Sequence, residues 1–329
     1  VIKMMKTRLL IAGLLGMAGG AALWLPVSPL AAAPVPVIGQ NPPTIVDRAT
    51  EPQIELLNPG AEPRQAIRFK PAVNARQVAT LTLAMDMAMT VAGNPVPQVK
   101  VPTSVMTMET IVTRIDPNGD IHYQFRYTNV DVIADPAVPK PVLDAVKAQN
   151  LKLIGIRGSF VMDDRGRSKS GSFTFPNDID ATTRQTLEQL AQSSSQFSAP
   201  MPDAAVGKGA SWRLSSPITV NGIQMIQTAI YRLATLQDGV ANLDVGLEQE
   251  AKPQKMSQPG VPPEVVMTLK SLKSQGQGKV MLRLDQLLPV RSTVAVRSTN
   301  EIATTRSGAP GETTFNTQTS IEMLFQTKE

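Results

Sequence analysis

From Arg76 onward the chain alternates apolar and polar residues with a period of two. In LTLAMDMAMTVAG (residues 81–93), Leu81, Leu83, Met85, Met87, Met89 and Val91 share one parity, and Thr82, Ala84, Asp86, Ala88 and Thr90 share the other. Successive side chains of a strand point to opposite faces, so this spacing predicts a long strand with one buried face. VMTMETIVTRI (Val105–Ile115) predicts a second strand. DPNGD (Asp116–Asp120) then supplies Pro117 to fix φ and Asn118-Gly119 for a positive-φ turn, and IHYQFRYTNVDV (Ile121–Val132) returns. GSFVMDDRGRSKSGSFTF (Gly158–Phe175) predicts a further hairpin turning at Asp164-Arg165-Gly166. Strands joined by short turns give an antiparallel meander.

The same grammar recurs about 120 residues later. TAIYRLATLQDGVANLDV (Thr228–Val245) parallels TIVTRIDPNGDIHYQFRY (Thr110–Tyr127), each with Thr, then Arg four residues on, then a glycine-containing turn. Pro263–Gly278 parallels Pro141–Gly158, both predicting a short helical turn behind a proline. Val280–Val296 parallels Phe160–Phe175. The predicted layout is a β-rich domain over 72–329, with unit one at about 76–177, a connecting helix at about 180–198 capped by Asp180, and unit two at about 205–327. The predicted fold class is all-β with a few short helices: one long antiparallel meander sheet, as a half-barrel or flattened barrel, from two pseudo-repeated units.

The run TLTLAMDMAM, the turn DPNGD, the hairpin GSFVMDDRG, the stretch VGKGASWRL, the segment YRLATLQDGVANLDV and GQGKVMLRLDQLLPVRSTVAV follow in that order. Over roughly Ile67 to Phe325 this series resembles a family of secreted bacterial β-rich proteins of unknown function. The resemblance implies strand and turn architecture and carries no catalytic residue across. At the level of fold the alternation is also similar to the LolA-like lipoprotein carriers, which implies a half-open barrel holding acyl chains over helical plugs.

The N-terminus changes the picture of where such a domain works. Lys6 and Arg8 precede an uncharged apolar stretch from Leu9 to Leu25, followed by Pro26 and a small-residue site at Ala31-Ala32-Ala33. This is the pattern of a signal peptide over residues 1–33 and predicts export to the periplasm or the extracellular space, with no membrane span after cleavage. An uncleaved N-terminal anchor is the alternative, because the run is close to the length of a membrane span. Residues 34–71, rich in proline, read as a spacer.

Composition narrows the function classes. The net charge of +5 falls to +2 once Lys3, Lys6 and Arg8 are removed with the leader, the charges are interspersed, and 4% of residues are aromatic. That excludes the clustered basic and aromatic surface of a nucleic-acid binder. The absence of cysteine excludes disulfides, thiolate metal sites and a cysteine nucleophile. Met85, Met87 and Met89 lie about 6.6 Å apart in successive pairs on one strand face. Thioethers suit Cu(I), and Met106 and Met108 on the next strand could add sulfurs. Yet Leu81, Leu83 and Val91 continue the same face, and the single histidine, His122, sits beside the Asn118-Gly119 turn. Apolar packing, either as a core or as the lining of a variable ligand, accounts for the methionines better.

No nucleophile motif accompanies His122, which reads as an exposed strand residue. Asp163-Asp164 reads as turn chemistry, VGKGASW lacks the spacing of a phosphate loop, and Trp212 reads as packing where unit two begins. The expected protein is an exported, non-catalytic envelope protein without cofactor or metal. It would bind a lipid or another hydrophobic small molecule on a concave sheet lined by Leu81, Leu83, Met85, Met87, Met89, Met106 and Met108. The alternative is a structural or protein-interaction module of the cell envelope with a self-covered core.

Overall fold

A computed structural model describes residues 52–97, 100–176, 200–220, 223–256, 264–306 and 311–328. The signal peptide, the first part of the spacer and the connecting helix expected at 180–198 lie outside the described residues. The strands in chain order are β1 (Gln53–Asn58), β2 (Arg76–Val91), β3 (Asn94–Val96), β4 (Ser104–Ile115), β5 (Ile121–Val132), β6 (Arg157–Met162) and β7 (Ser168–Thr174). They continue as β8 (Ser211–Val220), β9 (Ile223–Gln237), β10 (Val240–Ala251), β11 (Gln254–Met256), β12 (Val265–Arg283), β13 (Arg291–Arg306) and β14 (Thr313–Lys328). One helix among the described residues, α1 (Lys140–Leu151), lies between β5 and β6.

All the strands belong to one antiparallel sheet in the order β1-β8-β9-β10-β12-β13-β14-β2-β4-β5-β6-β7, with β3 beside β2 and β11 beside β12. The chain is therefore all-β, and its two halves meet where β14 pairs with β2, Phe325 opposite Leu81 and Met323 opposite Leu83. The sheet is not closed into a barrel, because β1 and β7 stand at opposite ends of the order without pairing to each other.

One face of this sheet is the interior. Across the centre the register aligns Trp212, Tyr231, Val245, Gly278, Val294, Met323 and Leu83 in one row, and the next row holds Leu214, Ala229, Leu247, Gly276, Val296, Ile321 and Met85. Apart from the half-buried Leu83, the apolar side chains of both rows are almost wholly buried. The other face presents Arg291, Arg297, Glu301, Glu322, Lys279 and Glu248, interspersed with exposed Ile226, Ile230 and Met281, so charge is spread across it. A membrane barrel needs the reverse, an apolar outer band. Gly276 and Gly278 let β12 and β13 approach: a Cβ on Gly278 would sit 2.4 Å from the Thr293 carbonyl oxygen.

The two ends of the sheet converge at one rim. Gln65 bridges to Val206, Phe69 N–H donates to Asp164 O, and Lys70 N–H donates to Leu284 O. The Arg68 guanidinium donates to the carbonyls of Pro202 and Asp203. Arg165, buried in the β6–β7 turn, donates from Nε to Met201 O at 2.9 Å and pairs with Asp203 ahead of β8. Residues 59–75 thus strap the β7 region to the start of β8, with Ile67 and Phe69 in the core.

Two expectations change here. Part of the proline-rich stretch read as a spacer is built into the fold. Ile54 and Leu56 alternate on β1 and pair with Leu214 and Trp212, and Glu55 pairs with Arg213. The helical turn expected behind Pro263 is strand: β12 runs without a break from Val265 to Arg283, so its match to 141–158, where α1 forms, does not hold in the structure. Both flanks of β12 are paired, to β10 and β13, and backbone hydrogen bonding on both sides overrides a local helical preference. A register shift between Leu269 and Ser271 keeps Leu269 and Leu272 both inside despite their odd spacing.

Candidate functional site

The seven residues expected to line a ligand all fall on the inner face, on two neighbouring strands. Leu81 pairs with Met106 and Ala79 with Met108, which brings the sulfurs of β4 beside the β2 stripe. The seven do not share one environment. Leu81, Met85, Met106 and Met108 are buried members of the core, and Leu83 is half-buried against it. Met87 and Met89 are half-buried and lie outside the core cluster.

Register explains the difference. β2 pairs with β4 only as far as Leu83, opposite Ser104. From Ala84 to Val91 it keeps β14 on one side; on the other, among the described residues, it pairs with the three-residue β3, opposite Met89–Val91, and the chain that follows toward β4 carries Val101 in the core. The β2–β4 pairing therefore splits beyond Leu83, and Met87, Met89 and Val91, next to this split, have half-buried side chains. Asn150 on α1 donates to Ser104 Oγ at 2.9 Å, where Ser104 is on the inner face, so the end of the helix is attached where the β2–β4 pairing stops. Val146 and Asn150 are its buried residues, whereas Leu151 is 47% exposed and the following Ile154 is 39% exposed.

A shallow concavity of about 330 Å³ lies over β5, β6 and β7, lined by Thr113, His122, Gln124, Ser159, Ser170 and Ser172 among others. At its edge His122 Nε2 is 2.7 Å from Asp116 Oδ2, and Arg114 also pairs with Asp116. His122 is half-buried rather than exposed. The hydrogen bond from His122, with help from Arg114, holds the Asp116 carboxyl below the usual carboxylate range. Asp163 is a turn residue, its Oδ1 accepting from the backbone N–H groups of Arg165 and Arg167. Among the described residues no three histidine or carboxylate side chains gather as a metal site. Trp212 is buried on β8 and stacks on Tyr231 with ring centroids 5.6 Å apart.

The sequence reading missed a row of polar side chains on the inner face. Ser216, Gln227, Gln249, Ser274, Ser298 and Thr319 align across β8, β9, β10, β12, β13 and β14, opposite Met87 of β2. The signal was present: on β8, β9, β10 and β12 the polar residue interrupts a parity otherwise held by apolar residues or glycine, while β13 and β14 carry further polar residues there, Ser292, Asn300 and Thr317.

No family model matches the chain, and no curated protein matches it. Among solved structures it is similar to the outer membrane protease OmpT from Escherichia coli, at 8% identity and a TM-score of 0.23, over 80% of this chain and 99% of that one. It is also similar to OmpF of Salmonella typhi, described in complex with daunomycin, at 8% identity and a TM-score of 0.19, over 75% of this chain and 98% of that one. TM-scores of this size do not establish a shared fold, and neither likeness bears on what this chain does. Among the described residues no helix is long and apolar enough to cross a membrane.

Proposed function

We propose that this chain is an exported, non-catalytic envelope protein that holds an apolar, lipid-like ligand against the inner face of its curved sheet. The carrying observation is the split beyond Leu83, where the inner face reaches the surface through Met87, Met89 and Val91. Methionine suits such a margin because its unbranched, polarizable side chain adapts to ligands of different shape. Leu81, Met85, Met106 and Met108 form the floor behind it, with Leu83 between floor and margin. α1, pinned through Asn150 where the β2–β4 pairing stops, is placed to act as a lid. The leader-like N-terminus supports an exported location, and the charge-bearing outer surface suits a protein that works outside the bilayer.

A second reading has its own observation. β7 stands last in the strand order among the described residues, and most of its residues are exposed, a position that suits addition of a strand from a partner. In that reading the core is wholly self-covered and the edge is the functional surface.

Native mass spectrometry of protein purified without detergent separates the two. The carrier reading predicts discrete adducts that organic solvent removes and that Met87→Asp abolishes. A clean protein mass that takes up neither added phospholipid nor fatty acid would refute it and leave the edge-strand reading.

A further inference from the structure

We propose that the polar row on the inner face is a headgroup site, which makes the ligand a neutral amphiphile, an acyl chain carrying an uncharged hydrogen-bonding group such as a glycerol ester. This rests on the carrier reading and gives it a substrate class. Ser216, Gln227, Gln249, Ser274, Ser298 and Thr319 are each 4% exposed or less. Within the row Gln249 Nε2 donates to Gln227 Oε1 at 2.7 Å, and the Ser274 and Ser298 hydroxyls lie 3.0 Å apart. At its two ends, Ser216 Oγ and Thr319 Oγ1 are buried with no hydrogen-bond partner among the described residues. Folded proteins rarely leave such groups unmatched, because desolvating a hydroxyl without a partner is costly.

The surroundings define what would satisfy them. The belt is flanked on one side by an apolar row with Leu214, Leu247 and Ile321, and on the other by a row that is apolar at Ile218, Met225 and Leu272. Asn300 and Thr317, in the neighbouring row, carry the polarity to Met89, and Thr319 carries it to Met87, so the belt leads to the split. The charged residues buried among the described residues are Asp120 and Arg165, and both sit in turns. A carboxylate or phosphate at the belt would be desolvated with no opposite charge to meet it. Hydroxyls and carboxamides offer donors and acceptors together, which suits a hydroxyl or an ester carbonyl.

The test uses the intrinsic fluorescence of Trp212, which lies on the same face four residues along β8 from Ser216. The full exported chain is titrated with monooleoylglycerol, oleate and octadecene below their aggregation concentrations. The proposal predicts that monooleoylglycerol binds about tenfold or more tighter than the other two. It also predicts that Gln227→Leu/Gln249→Leu brings all three to one affinity. Ser216→Ala/Thr319→Val, a milder pair that spares the glutamines, should narrow the preference in the same direction if the first pair does not fold. Equal affinities in the wild type, or a preference that survives both pairs, would overturn the headgroup site, assign the belt to buried water, and leave the carrier reading standing. Binding of none of the probes would overturn both.

Discussion

Met108 and Met87 both face the interior but have different neighbours, and the difference is measurable. Met108 is fully buried, so Met108→Ala should cost roughly 2–5 kcal/mol. Met87 is half-buried at the split, so Met87→Ala should cost under about 1 kcal/mol while weakening ligand uptake. Urea unfolding midpoints decide this, and equal costs would make Met87 an ordinary core residue. Gly278→Ala places a Cβ against the Thr293 carbonyl and should cost about 1–3 kcal/mol. Gly246→Ala, which meets nothing within 4 Å, should stay within about 0.5 kcal/mol. At this scale the inner parity of β2 and β4 was legible, because alternation alone assigns a face. The split was not, since it depends on where β4 stops pairing. The polar row was not either, because Gln249 and Ser298 read singly as breaks in an apolar stripe and gain meaning only when the strands are set in register.

Elements are held in place by contacts that no local pattern announces. Arg165 ties the β6–β7 turn to the chain before β8, and Arg165→Met should lower stability by roughly 1–3 kcal/mol, read from the unfolding midpoint. Asp120, in the β4–β5 turn, pairs with Lys169 of β7. The hydrogen bond from that ammonium, aided by Asn118, holds the Asp120 carboxyl below its ordinary value of 3.8. A carboxyl depressed in the folded state stabilises the fold above its unfolded pKa and loses that contribution as pH falls through the folded one. Stability should therefore decline below about pH 4, and Asp120→Asn should flatten that acid limb, as unfolding midpoints at neutral and acid pH would show. An unchanged limb would place the acid sensitivity elsewhere, for instance at Glu109, where burial works against Arg126 and Arg76 but those two arginines prevail. The hairpin at DPNGD was legible because turn chemistry is local. β1 was not, because its partners lie on β8, with Glu55 meeting Arg213 across 158 positions of sequence. β12 was misread at its start for the same reason: its long-range pairing to β10 and β13 outweighs what Pro263 and the lysines suggest locally.

For the whole molecule, alternation in every long strand implies a sheet with one apolar face, and such a face must be covered by itself, by a helix or by a ligand. Here the segment 59–75 ties the β6–β7 turn to the start of β8, α1 is bonded to Ser104, and the β2–β4 pairing stops at Leu83. That the protein is one antiparallel sheet was readable from strand length and turn spacing. Its open order, with β14 joining β2 at the centre, was not, because nothing local in either strand names the other. The central claim is that apolar ligands reach the interior past Met87. The chain contains no cysteine, so Met87→Cys provides a single thiol. The decisive measurement is the adduct mass of that variant by native mass spectrometry, before and after capping the thiol with a bulky maleimide. The account predicts rapid capping, adducts beforehand and none afterwards. A thiol that cannot be capped in the folded protein, or adducts that persist at the same level once it is capped, would contradict it.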